Sequence, residues 1–211
     1  MSGLLLVGAG GLAREALAAA RAAGAPVLGF LDDDPARHGE VVDGVRVLGG
    51  SELVHEHPDA GVLVCVASPV RPTARAKVVA RLGLARERYA TLVHPAASVA
   101  AGVELGEGSI VLAGVVVTAP QRVGAHVVAM PHVLLTHDDA VGDCVILAGR
   151  VALAGGVRVG ESAYLGAGAL VRQGVHIGQE AVIGMGAVVL TDVPAGETWA
   201  GVPAARLRRS T

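Results

Sequence analysis

Histidine followed by two carboxylates, His137-Asp138-Asp139 within LLTHDDAVGD, is the cluster in this chain best suited to chemistry. An imidazole beside a carboxylate suits general-base work, because the carboxylate fixes the tautomer and supports the imidazolium after proton uptake. An ordinary exposed corner accounts for the same residues. A metal site drawing on His126, His132 and His137 is a third reading, but sulfur and paired carboxylate ligands are missing at matching spacing, so no metal is expected. A second candidate lies near the N-terminus. Gly8-Ala9-Gly10-Gly11 follows the apolar run Leu4–Val7 and opens a helix-forming stretch, so backbone N–H groups and the helix N-terminus can cradle phosphate oxygens. A plain strand–helix turn is the alternative. Asp32 and Asp33 end the next apolar run, where a carboxylate reaches a ribose or a base, or simply forms a solvated turn.

Two kinds of element must position these groups. Over residues 3–90, short apolar runs (Leu4–Val7, Val27–Leu31, Val45–Leu48, Gly61–Ala67) alternate with helical stretches at Leu12–Ala23, Arg71–Leu82 and from Ser51 to about Glu56. That alternation predicts a small parallel sheet covered on both faces. A full dinucleotide fold needs more sheet than this length provides. From Val93 to Val189 every sixth residue is aliphatic, and the position four later is small or β-branched except at Gln121 and Asp139. Gly106, Gly124, Gly142, Gly160 and Gly178 recur every eighteen residues, which predicts one coil per three hexads with glycine supplying positive φ at a repeated corner. An even period keeps one face inward, and stacked coils then pair as parallel strands, the signature of a hexapeptide β-helix. The expected organisation is an α/β domain over 1–90 and a β-helix over 91–211, capped by Trp199 and a tail carrying Arg206, Arg208 and Arg209.

Composition excludes several classes. Apolar residues make up 52% of the chain, yet it holds one Phe, two Tyr and one Trp, as a narrow prism of Val, Leu and Ala would. Net charge of -2 and scarce aromatics argue against a nucleic-acid surface. No run is long enough to span a membrane, and MSGLLLVGAGG lacks the features of a signal peptide. Cys65 and Cys144, far apart, read as reduced core residues, which implies a cytoplasmic protein. The apolar stretch Val115, Val116, Val117, Val127, Val128, Val133 and Leu134 predicts an interface and a homotrimer.

The order GAGG, GFLDDD, TLVHPAASVA, THDDAVGD, LGAGALVRQGVHIG, VVLTDVPAG and GVPAARLRR resembles the bacterial sugar acetyltransferases over essentially the whole chain. These include the UDP-4-amino-sugar and perosamine N-acetyltransferases and the sialic-acid O-acetyltransferases. The resemblance implies a left-handed β-helix, a homotrimer, and acetyl-CoA lying between adjacent prisms. It places the catalytic base on His137 with Asp138 as its acidic neighbour, and CoA-contacting turns around Gly155, Gly156, Ala167 and Met185. It places a nucleotide-linked sugar on Gly8, Gly10, Gly11, Asp32 and Asp33, and an oxyanion-binding N–H on a Gly155 of the adjacent subunit. The pattern departs at Leu12, Met130-Pro131 and Ile146, where relatives often carry polar residues; at Ile146 an apolar side chain would pack on the pantetheine arm. The implied reaction is acetyl transfer to the amine of a nucleotide-linked 4-amino-4,6-dideoxy sugar. Acetylation of a hydroxyl, and a non-catalytic trimeric nucleotide-sugar-binding scaffold, are the alternatives.

Overall fold

The computed structural model describes residues 3–207; Arg208 and Arg209 of the basic tail lie outside them. Strands β1 (Leu4–Val7), β2 (Val27–Leu31), β3 (Val41–Val42), β4 (Val45–Gly49) and β5 (Gly61–Val64) form one sheet in the order β3-β4-β2-β1-β5. Strand β1 runs parallel to both its neighbours, β2 and β5, and only the β3–β4 hairpin is antiparallel. Helix α1 (Gly11–Ala22) buries Leu12, Ala13, Ala16, Leu17, Ala19 and Ala20, a stripe at helical spacing, against the sheet. Helix α2 covers Ala74–Leu82 and not the expected Arg71–Leu82, since Pro72 biases the residue before it away from helical geometry. It stops at Gly83, whose φ of 58° is a left-handed cap. The segment from Ser51 is a 3-10 turn, Ser51–His55, with Gly50 at the cap position.

From Leu92 onward the chain winds as a left-handed β-helix, an exception to the usual right-handed crossover. Two-residue strands recur every six residues and stack in register every eighteen, giving three parallel sheets. The interior is filled by the two columns read from the sequence, Val111 to Val189 and Val115 to Val193, nearly all fully buried. Each such aliphatic side chain contributes roughly 1.5–3 kcal/mol by leaving water. At the C-terminal end Trp199 packs on the last inward rows, and Thr198–Ala200 pairs antiparallel with Ala205–Arg206. That cover protects the final parallel edge.

The eighteen-residue glycines act by a different cause from the one expected. Gly106, Gly124, Gly142, Gly160 and Gly178 do not have left-handed φ. A Cβ on Gly106 would meet Ala125 N at 2.4 Å, and one on Gly160 would meet Gln179 N at 2.5 Å. Glycine is required there because the backbone of the next coil passes too close for any side chain. The positive φ falls two residues later, on Gly108, His126, Cys144, Ser162 and Glu180. The other two edges behave alike, with Gly114, His132 and Arg150 on one and Asp138, Gly156 and Gly174 on the other.

The three outer faces differ. On one, Ile110, Val128 and Ile146 share an apolar cluster with Leu4, Leu6, Leu12 and Phe30 of the α/β unit, so that unit sits on this covered face. The second carries Val116, Leu134, Ala152, Leu170 and Val188 outward and is apolar. The third carries Glu104, Arg122, Ala140, Arg158 and His176 and is charged. The apolar stretch taken for an interface therefore divides. Val115, Val117, Val127 and Val133 point into the core, Val128 lies under the α/β unit, and only Val116 and Leu134 face out on the apolar side. Among the described residues no helix is long and apolar enough to cross a membrane.

Candidate active site

His137 and Asp138 turn the edge between the apolar and charged faces, and both side chains stand clear of the prism, 71% and 83% exposed. His137 Nδ1 lies 2.8 Å from Asp138 Oδ2. An Nδ1–H donated to that carboxylate leaves the Nε2 lone pair free to take a proton. Asp138 has φ of 63°, a conformation that carboxylate residues tolerate better than most. The next coil supports the ring. The Gly156 N–H donates to His137 O (2.9 Å), and a Cβ on Gly155 would lie 2.4 Å from His137 Cε1 and 2.5 Å from Nε2. Gly155 thus makes room for the imidazole of its own chain. The Gly155 N–H, expected to serve the site from a neighbouring subunit, lies next to His137 of its own chain. That N–H takes no part in the coil-to-coil backbone ladder.

The remaining candidates do not all converge. Gly155 and Gly156 share the His137 edge, whereas Ala167 and Met185 turn the edge between the covered and apolar faces, with Met185 81% exposed. One chain alone does not bring the two pairs together. His126, His132 and His137 stand on three different edges, so they do not share a metal site. His126 is buried edge-on against Tyr89 at 4.6 Å, and burial, then the charge of Arg75, pull its imidazole below the ordinary value. Ile146 does not reach a pantetheine arm from within this chain, because it is 1% exposed beneath the α/β unit.

In the α/β unit, Gly8 needs its glycine, with φ of 97° and Cys65 O only 3.1 Å from a would-be Cβ. Gly10 and Gly11 do not: neither has positive φ, and a Cβ on either would meet nothing within 4 Å. The space over the loop is open. Helix α1 begins there with no side-chain cap and no acidic residue in its first turn, so its leading N–H groups remain available to an anion. Asp32 frames the loop by accepting from Ala9 N at 2.8 Å and from Asp34 N at 3.0 Å. Asp33 faces elsewhere, accepting from Ser51 N (3.0 Å) and Arg81 Nη2 (2.6 Å). Burial acts to raise its carboxyl, and the Ser51 hydrogen bonds with the Arg81 charge outweigh that and hold it low.

Three features escaped the sequence. One is the role of Asp139, which the sequence marks as polar in an aliphatic column: it is 4% exposed and its oxygens bind backbone N–H groups. The charged face could have been read as every eighteenth residue from Glu104, and it floors a groove of about 1010 Å³ that extends to the Gly106–Gly178 edge and Arg86 of the α/β unit. Neither Arg122 nor Arg158 has a carboxylate within ion-pair distance among the described residues. Arg75 of α2 is fully buried and donates to Val64 O, and burial pulls its pKa to about 10. Burial likewise lifts the Cys65 thiol to about 12 and Cys144 to about 11, so both stay protonated and unreactive.

Comparison with known proteins agrees with this architecture. The family model described as the PglD N-terminal domain matches residues 3–89, and the hexapeptide repeat of succinyl-transferase matches 96–119 and 156–191. No curated protein matches the sequence closely enough to count as a relative. Among solved structures, a variant of perosamine N-acetyltransferase from Caulobacter crescentus, in complex with CoA and GDP-perosamine, shares 32% identity. It covers 98% of this chain and 97% of its own, with a TM-score of 0.88. The acetyltransferase domain of PglB from Neisseria gonorrhoeae shares 29% identity over 98% of this chain and 100% of its own, with a TM-score of 0.86. WeeI from Acinetobacter baumannii shares 26% over 97% and 99%, with a TM-score of 0.81. An α/β unit joined to a hexapeptide prism, matched end to end at this identity, places the chain in the family of acetyl-CoA-dependent bacterial sugar N-acetyltransferases.

Proposed function

We propose that the protein transfers an acetyl group from acetyl-CoA to the amine of a nucleotide-linked 4-amino-4,6-dideoxy sugar, with His137 as general base. The observation that carries this reading is the His137–Asp138 pair held over Gly155 on an open edge, with Nδ1 engaged by the carboxylate and Nε2 without a hydrogen-bond partner among the described residues. The sugar nitrogen attacks the thioester carbonyl, His137 Nε2 takes the proton that the nitrogen gives up, and the CoA thiolate leaves. Asp138 keeps the ring in the required tautomer and offsets the imidazolium charge. The Gly155 N–H, free of the ladder and next to His137, is the donor we assign to the oxyanion. The turns at Gly156, Gly174 and Gly186 crowd nothing closer than 4.0 Å even with a Cβ added, which leaves smooth edges for a pantetheine arm. Arg122 and Arg158 suit the charge of a phosphate-bearing substrate.

The nucleotide part belongs on the α/β unit, over residues 1–90, at Gly8, Gly10 and Gly11, framed by Asp32. That unit sits on the covered face, and His137 is on the opposite edge of the same prism. An acceptor held by one chain therefore meets the base of another. A homotrimer joined through the apolar faces satisfies this, and it also sets the Ala167–Met185 edge of one subunit against the Gly155–Gly156 edge of the next.

The test is thiol release from acetyl-CoA with a panel of UDP-, GDP- and dTDP-linked amino sugars and hydroxyl analogues. His137→Ala should lower kcat by about 10²–10⁴-fold, the usual range for a general base, and Asp138→Asn by less. Near wild-type kcat in His137→Ala would make His137 an ordinary corner residue. Turnover only of hydroxyl acceptors would move the protein to the O-acetylating branch, and no thioester cleavage at all would leave a scaffold.

A further inference from the structure

In the regular turns of the His137 edge, at Val103 and Val175, two kinds of backbone hydrogen bond recur. The N–H following the inward aliphatic residue donates to the coil below, as Thr118 N does to Leu135 O (3.1 Å) and Ala154 N to Val171 O (3.0 Å). The N–H of the second inward residue closes the turn, as Val175 N does on Arg172 O (3.3 Å). Around His137 the pattern is rewired. Thr136 N leaves the ladder and donates to Asp139 Oδ2 (2.8 Å), while Thr136 Oγ1 takes its place on Leu153 O (3.1 Å). Asp139 N donates upward to Gln121 Oε1 (3.1 Å), and Val157 N, from the coil below, donates to Asp139 Oδ1 (2.8 Å). Gln121 and Asp139 are the two polar residues in a column otherwise filled by Val103, Val157, Val175 and Val193.

A buried carboxylate in an aliphatic column costs stability, since burial alone pushes Asp139 toward its neutral form and a valine would fill the slot without desolvation. The stack of coils has no need of it, because the turns at Val103 and Val175 close on backbone alone, Val103 N on Ala100 O and Val175 N on Arg172 O (both 3.3 Å). What it changes is local to the turn Thr136–Asp139, which carries His137 and Asp138. We propose that Asp139, with Thr136 and Gln121, is a positioning element that sets this turn apart from the regular corner and aims the His137 ring. The inference rests on His137 being the base. Asp139 touches no reacting atom; it acts through the backbone of the turn.

The test compares Asp139→Val, Asp139→Asn, Thr136→Val and Thr136→Ser with wild type and His137→Ala in the thiol-release assay, alongside thermal unfolding. Asp139→Val removes the buried carboxylate and lets Thr136 N and Val157 N return to the bonds of a regular turn, on Leu153 O and Ala154 O, so its unfolding midpoint should be unchanged or higher, whereas kcat should fall by about tenfold or more at unaltered KM for acetyl-CoA. Thr136→Val should lower kcat, and Thr136→Ser, which keeps the hydroxyl, should restore it. Asp139→Asn, in which an amide NH₂ must face one of the two N–H groups, should lie between wild type and Asp139→Val. The proposal is overturned if Asp139→Val and Asp139→Asn keep kcat near wild type while His137→Ala loses it. It is equally overturned if every loss of kcat is matched by a lowered midpoint, which is what a purely structural residue would give. Retained kcat in His137→Ala would instead remove the general-base reading on which the proposal stands.

Discussion

Gly155→Ala offers a way to move the proposed base without altering its chemistry. The added methyl would sit 2.4 Å from His137 Cε1 and 2.5 Å from Nε2, where ordinary contact begins at 3.4 Å, so the ring must retreat by about 1 Å. The backbone has no objection, because Gly155 is not in the left-handed region. The fold has little objection either, since the displaced group is an exposed side chain that can rotate away. Rotation breaks the Nδ1 contact with Asp138 and takes Nε2 off its line to the acceptor. Misplacement of a reacting group by about 1 Å costs on the order of 10²-fold in rate. Steady-state thiol release should therefore show kcat down by about that factor with the thermal midpoint unmoved. Adding Gly155→Ala to His137→Ala should cost little more, because the two substitutions remove one function. If Gly155→Ala keeps kcat within about threefold of wild type, the ring position in this structure is not the one that reacts.

Other outcomes follow from the same geometry. Gly10→Val, whose Cβ would meet no protein atom within 4 Å, should leave folding intact and raise KM for the sugar nucleotide at unchanged KM for acetyl-CoA; equal loss of both would point away from the loop. His126 is held neutral by burial, so its folded pKa lies below the ordinary ~6.5 and the unfolded chain binds the extra proton. The unfolding midpoint should then fall as pH drops below about 6.5, and His126→Gln should flatten that slope in a series from neutral to mildly acidic buffer. Leu170→Glu, at a side chain 48% exposed on the apolar face, should convert the proposed trimer to smaller species by light scattering; an unchanged mass would place the interface elsewhere.

The prism was legible because every coil repeats the same demand: an inward slot stays inward for seventeen hexads, and periodicity reports that directly. The role of the eighteen-residue glycines was not, since a left-handed corner and a close backbone approach both select glycine. The structure decides it by putting His126, Cys144, Ser162 and Glu180 in the left-handed positions. The His137–Asp138 pair was readable as neighbours in sequence, but the support beneath it was not. Gly155 lies eighteen residues away, and Asp139 is held by N–H groups that any residue type would supply. The division of the valines between core and surface was misjudged because runs such as Val115-Val116-Val117 read as one apolar patch although alternate residues face opposite ways.

The two periods also set how the length of this chain can change. Removing or adding six residues keeps both inward columns filled, so the interior tolerates it, but every strand beyond that point is carried a third of a revolution around the axis. Residues that faced the charged groove would then face the apolar side, and the glycines that let consecutive coils approach would fall out of line with one another. Only a change of eighteen preserves the phase. Lengthening or shortening this prism is therefore quantised in whole revolutions, with the smaller step allowed by the core and forbidden by the surface.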